Sequence, residues 1–155
     1  MTCLVVKMNE LKEDLTEISV KIFTDLGFLM PVADENLYLF DRQPCSMAYV
    51  DFTGHKNGRL YVKVTNSILP AIAKNILAQD GPPARHLQLD ALKEVTNEIC
   101  GNVLPYLAGS NKVFRLQTPE TTDKIIKFDI EHYENININI VFEEGSAQIV
   151  WYYSK

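Results

Sequence analysis

Residues 135–140 read Asn-Ile-Asn-Ile-Asn-Ile, and this strict alternation leaves few folds open. Successive side chains of a strand point to opposite faces, so Ile136, Ile138 and Ile140 share one face and Asn135, Asn137 and Asn139 the other. A helix would scatter the same six residues around its circumference. The pattern predicts a strand over 136–142 that is buried on one side and wet on the other, as in antiparallel sheets. The same period runs through 45–53, 59–65, 125–132 and 148–153, for example Leu60-Tyr61-Val62-Lys63-Val64. Gly54-His55-Lys56-Asn57-Gly58 joins the first two of these and predicts a plain hairpin connection. No helix opens behind that loop and no Gly-Lys-Ser/Thr follows, so a phosphate cradle is not expected. Gly145-Ser146 predicts the last hairpin turn, and residues 37–40 a further short strand.

The isoleucine face has to be covered, and three helical patterns can cover it. In 8–27, Leu11, Leu15, Ile18, Ile22 and Leu26 recur at three- and four-residue spacings; Gly27 suits the end and Pro31 bars resumption. Residues 67–78 form a shorter pattern, with Pro70 tolerable in its first turn and Gly81-Pro82-Pro83 as its stop. Residues 90–107 form the longest run after the first. The order helix, strands, helices, strands predicts an α+β domain of two layers, with helices packed on one face of an antiparallel sheet. A chain of 155 residues suits one such domain, 1–155. At that size about two-thirds of the unfolded surface is buried, so neither disulfide nor metal is needed as a staple.

Charge and cysteines narrow the setting. Fifteen basic against twenty acidic residues leave a net charge of −5, which argues against nucleic acid and against docking on an anionic membrane. No apolar run approaches the length of a membrane span, and residues 1–7 are too short an apolar stretch for a secretory leader. Cys3, Cys45 and Cys100 are odd in number and widely spaced, which predicts reduced thiols and a cytoplasmic protein. His55, His86 and His132 are scattered, so no metal or other cofactor is expected on this chain.

One helix stands out chemically. On a wheel of ~100° per residue, Asp90, Glu94, Asn97 and Gly101 fall in one narrow stripe. Leu92, Val95, Ile99, Val103 and Leu107 fall opposite and satisfy the core without it. The stripe is therefore an outward line of two carboxylates, a carboxamide and bare backbone. Such residues on a solvated helix face are commonplace by themselves. Gly101 is less so, because an exposed mid-helix glycine costs about 1 kcal/mol against alanine. Two readings compete: another backbone approaches closely there, or the glycine absorbs the push of the Pro105 ring against its carbonyl.

The stripe resembles the signature of the CheC/CheX/FliY family of response-regulator phosphatases: Asp or Ser, three residues, Glu, two residues, Asn, three residues, Gly, five residues, Leu. Asp90, Glu94, Asn97, Gly101 and Leu107 fill every named position. Phe52-Thr53-Gly54 and Gly58-Arg59-Leu60-Tyr61 look like the strand–Gly–strand that precedes the motif helix in that family, and the 67–77 helix sits where its intervening helix sits. The resemblance runs from about residue 45 onwards. CheC carries two copies of the signature; residues 14–25 do not reproduce it, and a single copy is similar to CheX.

The resemblance implies a CheC-like fold, a CheY-like receiver domain as partner, and hydrolysis of that receiver's aspartyl phosphate in chemotaxis or two-component signalling. It assigns Asn97 to the attacking water and Glu94 to the receiver's active-site lysine, with Asp90, Glu94 and Gly101 at the contact. Magnesium is implied only in the receiver's own site. A symmetric homodimer is implied too, and the Asn/Ile strand offers an edge for it. Two other classes remain open: a receiver-binding or flagellar-switch-like scaffold that uses the same helix without hydrolysis, and a ligand sensor whose pocket lies between sheet and helices and in which the signature is coincidental.

Overall fold

The computed structural model describes residues 2–33, 42–78 and 80–155. The strand expected at 37–40 lies outside the described residues. Within them, helix α1 (Thr2–Gly27) is followed by strands β1 (Cys45–Gly54) and β2 (Gly58–Thr65) and a single 3-10 turn. Then come helices α2 (Leu69–Leu77) and α3 (Arg85–Ala108), short strands β3 (Phe114–Leu116) and β4 (Glu120–Thr122), and the hairpin β5 (Tyr133–Val141) and β6 (Ser146–Ser154). The strands form one antiparallel sheet in the order β3-β1-β2-β6-β5, with β4 also paired to β1.

All three helices lie on one face, as the alternation requires. Leu11, Leu15 and Phe23 of α1, Ile72 of α2 and Leu92, Val95 and Ile99 of α3 share a core with Val50, Val62, Ile138, Ile149 and Trp151 of the sheet. At roughly 1.5–3 kcal/mol per buried aliphatic or aromatic side chain, this layer is the main stabilising contribution. Two glycines let elements approach. A Cβ on Gly27 would lie 2.8 Å from Ile72 Cγ1, so the glycine seats α1 on α2. The left-handed residue that ends α1 is the next one, Phe28, at φ 54°, with Phe28 N–H bonded to the Thr24 carbonyl and Leu29 N–H to that of Phe23. A Cβ on Gly58 would collide with the Tyr152 carbonyl, so that position of β2 must stay bare for β6 to pair.

Three helix starts differ from the sequence reading, and β5 and β6 begin three and two residues earlier than expected. Helix α1 starts at Thr2 rather than near residue 8, and α3 at Arg85 rather than 90, because their first turns are helical without contributing to the apolar stripe. The 67–78 helix opens as a 3-10 turn over 66–68 before α2. The expected strand at 125–132 does not form. That segment crosses the second face of the sheet as irregular backbone, where Phe128 stacks on Tyr152 at 4.9 Å and Ile125 packs beside it over Met47, Tyr61 and Val150. The backbone of Ile126 is satisfied from the sheet: its N–H donates to the Tyr61 hydroxyl at 3.1 Å, and that hydroxyl donates to its carbonyl at 3.4 Å.

Candidate functional site

Helix α3 runs unbroken through the signature. Its inward residues Leu92, Val95, Ile99 and Val103 are fully buried, and Leu107 is 4% exposed. Asp90, Glu94 and Gly101 are exposed and Asn97 is half-buried, so the stripe faces away from the core. Among the described residues, the side chains of Glu94 and Asn97 make no hydrogen bond or ion pair. A carboxylate and a carboxamide are thus held one turn apart with all their hydrogen-bonding capacity directed out of the chain.

Asn97 is half-buried because a second wall stands beside it. Asp90, Lys93, Glu94 and Asn97 form one side of an open groove of about 300 Å³, and Leu116, Gln117, Thr118 and Pro119 form the other. The wall is carried by β1. Strand β3 pairs with Phe52–Gly54 and β4 with Met47–Tyr49, while Gln117 N–H donates to the Asp51 carbonyl at 2.8 Å between them. Phe114 meets Phe52 edge-on with ring centres 6.0 Å apart. The strand–Gly–strand element thus holds the rim opposite the stripe.

Asp90 is engaged within the helix. Lys93 Nζ lies 2.9 Å from its Oδ1, an exposed pair three residues apart. Lys93 and residues 116–119 were not singled out from the sequence. The only signal for Lys93 is its spacing from Asp90, and the rim carries no apolar period at all. Gly101 lies outside the groove, one turn beyond Asn97. A Cβ built there meets nothing within 4 Å, so among the described residues no neighbour requires a glycine.

A wider cleft, about 730 Å³, lies elsewhere, at the start of α3 between Cys45, Lys63, Arg85 and Thr122. Two of its hydrogen bonds are structural: Arg85 donates to the Ser46 hydroxyl, and that hydroxyl to Asn66, tying the first turn of α3 to β1 and the end of β2. Among the described residues no three His, Cys, Asp or Glu side chains come together to hold a metal ion, and no helix is long and apolar enough to cross a membrane. Cys3 is exposed, Cys45 half-buried and Cys100 fully buried. Burial pushes the Cys100 thiol up to about 12, which removes it as a nucleophile beside the stripe.

Comparison with known proteins bears on this geometry. The sequence matches the family model described as chemotaxis phosphatase CheX over residues 46–141, well over half the chain. Chemotaxis protein CheX from Vibrio vulnificus superposes with a TM-score of 0.70 at 16% identity, covering 94% of this chain and 97% of that one. CheX from Desulfovibrio desulfuricans gives 0.68 at 21% identity, covering 92% and 97%. A chain of the CheX–CheY–BeF3–Mg2+ complex from Borrelia burgdorferi gives 0.63 at 11% identity, again covering 92% and 97%. At these identities the likeness is one of fold. No curated protein matches the sequence.

Proposed function

This chain belongs to the CheX family of chemotaxis phosphatases, and from that premise we propose that it hydrolyses the aspartyl phosphate of a CheY-like receiver domain. One observation carries the proposal: Glu94 and Asn97 stand side by side on the solvent face of a rigid helix with no partner among the described residues. The CheX–CheY complex from Borrelia burgdorferi, one chain of which shares this fold, supports a CheY-like partner.

The chemistry asks little of the protein. An acyl phosphate is already activated, so catalysis reduces to placing a water in line with phosphorus and accommodating spread charge. Asn97 suits the first task, since a carboxamide offers a donor and an acceptor together and can turn a water's lone pair towards phosphorus. Glu94 pairs with the receiver's active-site lysine and fixes the register of docking. Asp90, held by Lys93, adds negative charge at the start of the stripe. The magnesium ion belongs to the receiver's site, and the reaction takes place in the cytoplasm, where receivers work.

We also propose a symmetric homodimer through β5. Phe142 N–H donates to the Gly145 carbonyl at 2.7 Å, which sets the parity of the hairpin. The backbone groups of Tyr133, Asn135, Asn137 and Asn139 then point away from β6. Val141 shares that outward parity, and its carbonyl accepts from Val32 N–H at 2.8 Å. Among the described residues no strand pairs with the remaining edge.

The test is a panel of purified phosphorylated receivers, with phosphate loss followed with and without this protein. Acceleration for at least one receiver is the expected result. Binding without acceleration would favour the scaffold, and neither binding nor acceleration would end the receiver reading.

A further inference from the structure

Pro105 stands four residues beyond Gly101, at the position whose N–H would close the helical bond onto the Gly101 carbonyl. Proline has no N–H, so that carbonyl has lost its ladder donor. The helix nevertheless continues, and Gly109 N–H donates to the Pro105 carbonyl at 2.8 Å beyond the gap. α3 therefore carries one backbone acceptor in its interior that its own ladder does not fill.

The place of that acceptor matters. Gly101 and Pro105 are both exposed, and nothing within 4 Å would meet a Cβ on Gly101. The carbonyl lies on the solvent face with no side chain at its own residue to shield it, and the Pro105 ring pushes it further out. It sits about 6 Å along the helix axis from Asn97, on the same stripe. An interior proline and an exposed glycine both weaken a helix. Among the described residues nothing would meet a Cβ on Gly101 within 4 Å, and Pro105 is exposed, so packing within the chain gives little to offset either. The two readings of Gly101 thus merge: proline frees the carbonyl, and glycine leaves it accessible.

We propose that the Gly101 carbonyl is a docking acceptor, filled on binding by an N–H donor of the receiver, and that Pro105 acts as a positioning residue by keeping it free. This rests on the proposal that the α3 stripe docks a phosphorylated receiver. In the free protein, water satisfies the carbonyl. Docking excludes that water, and a buried carbonyl without a donor is penalised. A receiver presenting a backbone N–H or an ammonium there is accepted; one presenting a carbonyl or carboxylate is rejected.

Pro105→Ala tests this, because it returns an N–H to the ladder and gives the carbonyl an internal donor. Binding is read against a receiver treated with beryllofluoride and magnesium, a stable mimic of the phosphorylated form, and turnover against the phosphorylated receiver. The variant should melt higher than wild type while binding threefold to tenfold more weakly, roughly the worth of one neutral hydrogen bond. The loss should appear in KM rather than kcat. Gly101→Ala keeps the free carbonyl but sets a methyl group beside it, and should weaken binding at least as much while also melting higher. If Pro105→Ala melts higher with unchanged affinity, Pro105 is only a tolerated defect and the inference is wrong. If wild type itself binds no receiver, the receiver reading falls with it, which separates the two failures.

Discussion

The guanidinium of Arg59 forks onto the carboxylate of Asp51, with Nε–Oδ1 at 2.6 Å and Nη2–Oδ2 at 2.7 Å, and lies 4.0 Å from the centre of the Tyr49 ring. The two residues face each other across β1 and β2, so the fork locks the register of the hairpin that carries the groove wall. The hydrogen bonds from the Asp51 carboxylate raise the guanidinium pKa further, so Arg59 stays charged at any working pH. Arg59→Met should cost about 1.5–2 kcal/mol, the lower part of the range for charged hydrogen bonds, because Asp51 keeps some solvent contact. For a chain of this size that is a fall of a few degrees in Tm. Arg59→Lys keeps the charge but loses the fork, and should recover only part of it. Urea denaturation of the three proteins checks the order; a Met variant as stable as wild type would show the pair to be ornamental.

Asn97→Ala should leave the fold intact, since the side chain is half-buried and makes no hydrogen bond among the described residues. Loss of one group that positions the reacting atoms costs on the order of 10²–10³ in rate. Affinity for the phosphorylated receiver should hardly change. A variant that keeps most of its turnover would remove Asn97 from the reaction.

Glu94→Lys should act on docking instead. It turns attraction into repulsion opposite the receiver's lysine, and removing one partner of a buried charged pair costs about 2–5 kcal/mol. The defect should appear as weaker binding and a raised KM, with wild-type stability because Glu94 is exposed. Unchanged affinity in isothermal titration would place the receiver's lysine elsewhere.

The stripe was legible in the sequence because Leu92, Val95, Ile99, Val103 and Leu107 leave the helix one way to sit on the sheet. The wall opposite was not. Strands of three residues such as β3 and β4 have no period to read, and their place depends on pairing with β1, which is distant in sequence. Residues 125–132 show a different limit. Ile125 and Phe128 cover Tyr61, Val150 and Tyr152, and a strap across a face needs the same apolar residues as an added strand. The signature therefore put Asp90, Glu94, Asn97 and Gly101 on the outward face of α3, where the structure has them, while Lys93 and residues 116–119 became visible beside them only when the sheet was assembled.

The three thiols should separate by reactivity. Cys3 is exposed and should label at once with a thiol reagent at pH 8, Cys45 more slowly, and Cys100 only in denaturant. Burial raises the Cys100 thiol from 9.0 to about 12, so the folded state holds its proton more tightly than the unfolded state does. Stability from this group is complete below about pH 9 and declines as pH climbs towards 12. Rapid labelling of all three in native buffer would contradict the burial.

The proposed dimer can be tested with the loss, inside the protomer, of one exposed side-chain hydrogen bond, from Gln148 Nε2 to Asn137 Oδ1 at 3.2 Å. The backbone N–H of Asn137 points away from β6, given the parity set by the Phe142–Gly145 bond. Proline at such an edge position removes an outward donor while leaving the β5–β6 ladder whole. Asn137→Pro should therefore fold with near-native circular dichroism yet lose edge-to-edge pairing. Light scattering at high micromolar concentration should return two chain masses for wild type and one for the variant. A wild type that is strictly monomeric there would remove the dimer. A variant that stays dimeric would move the interface away from β5, to one of the helical faces.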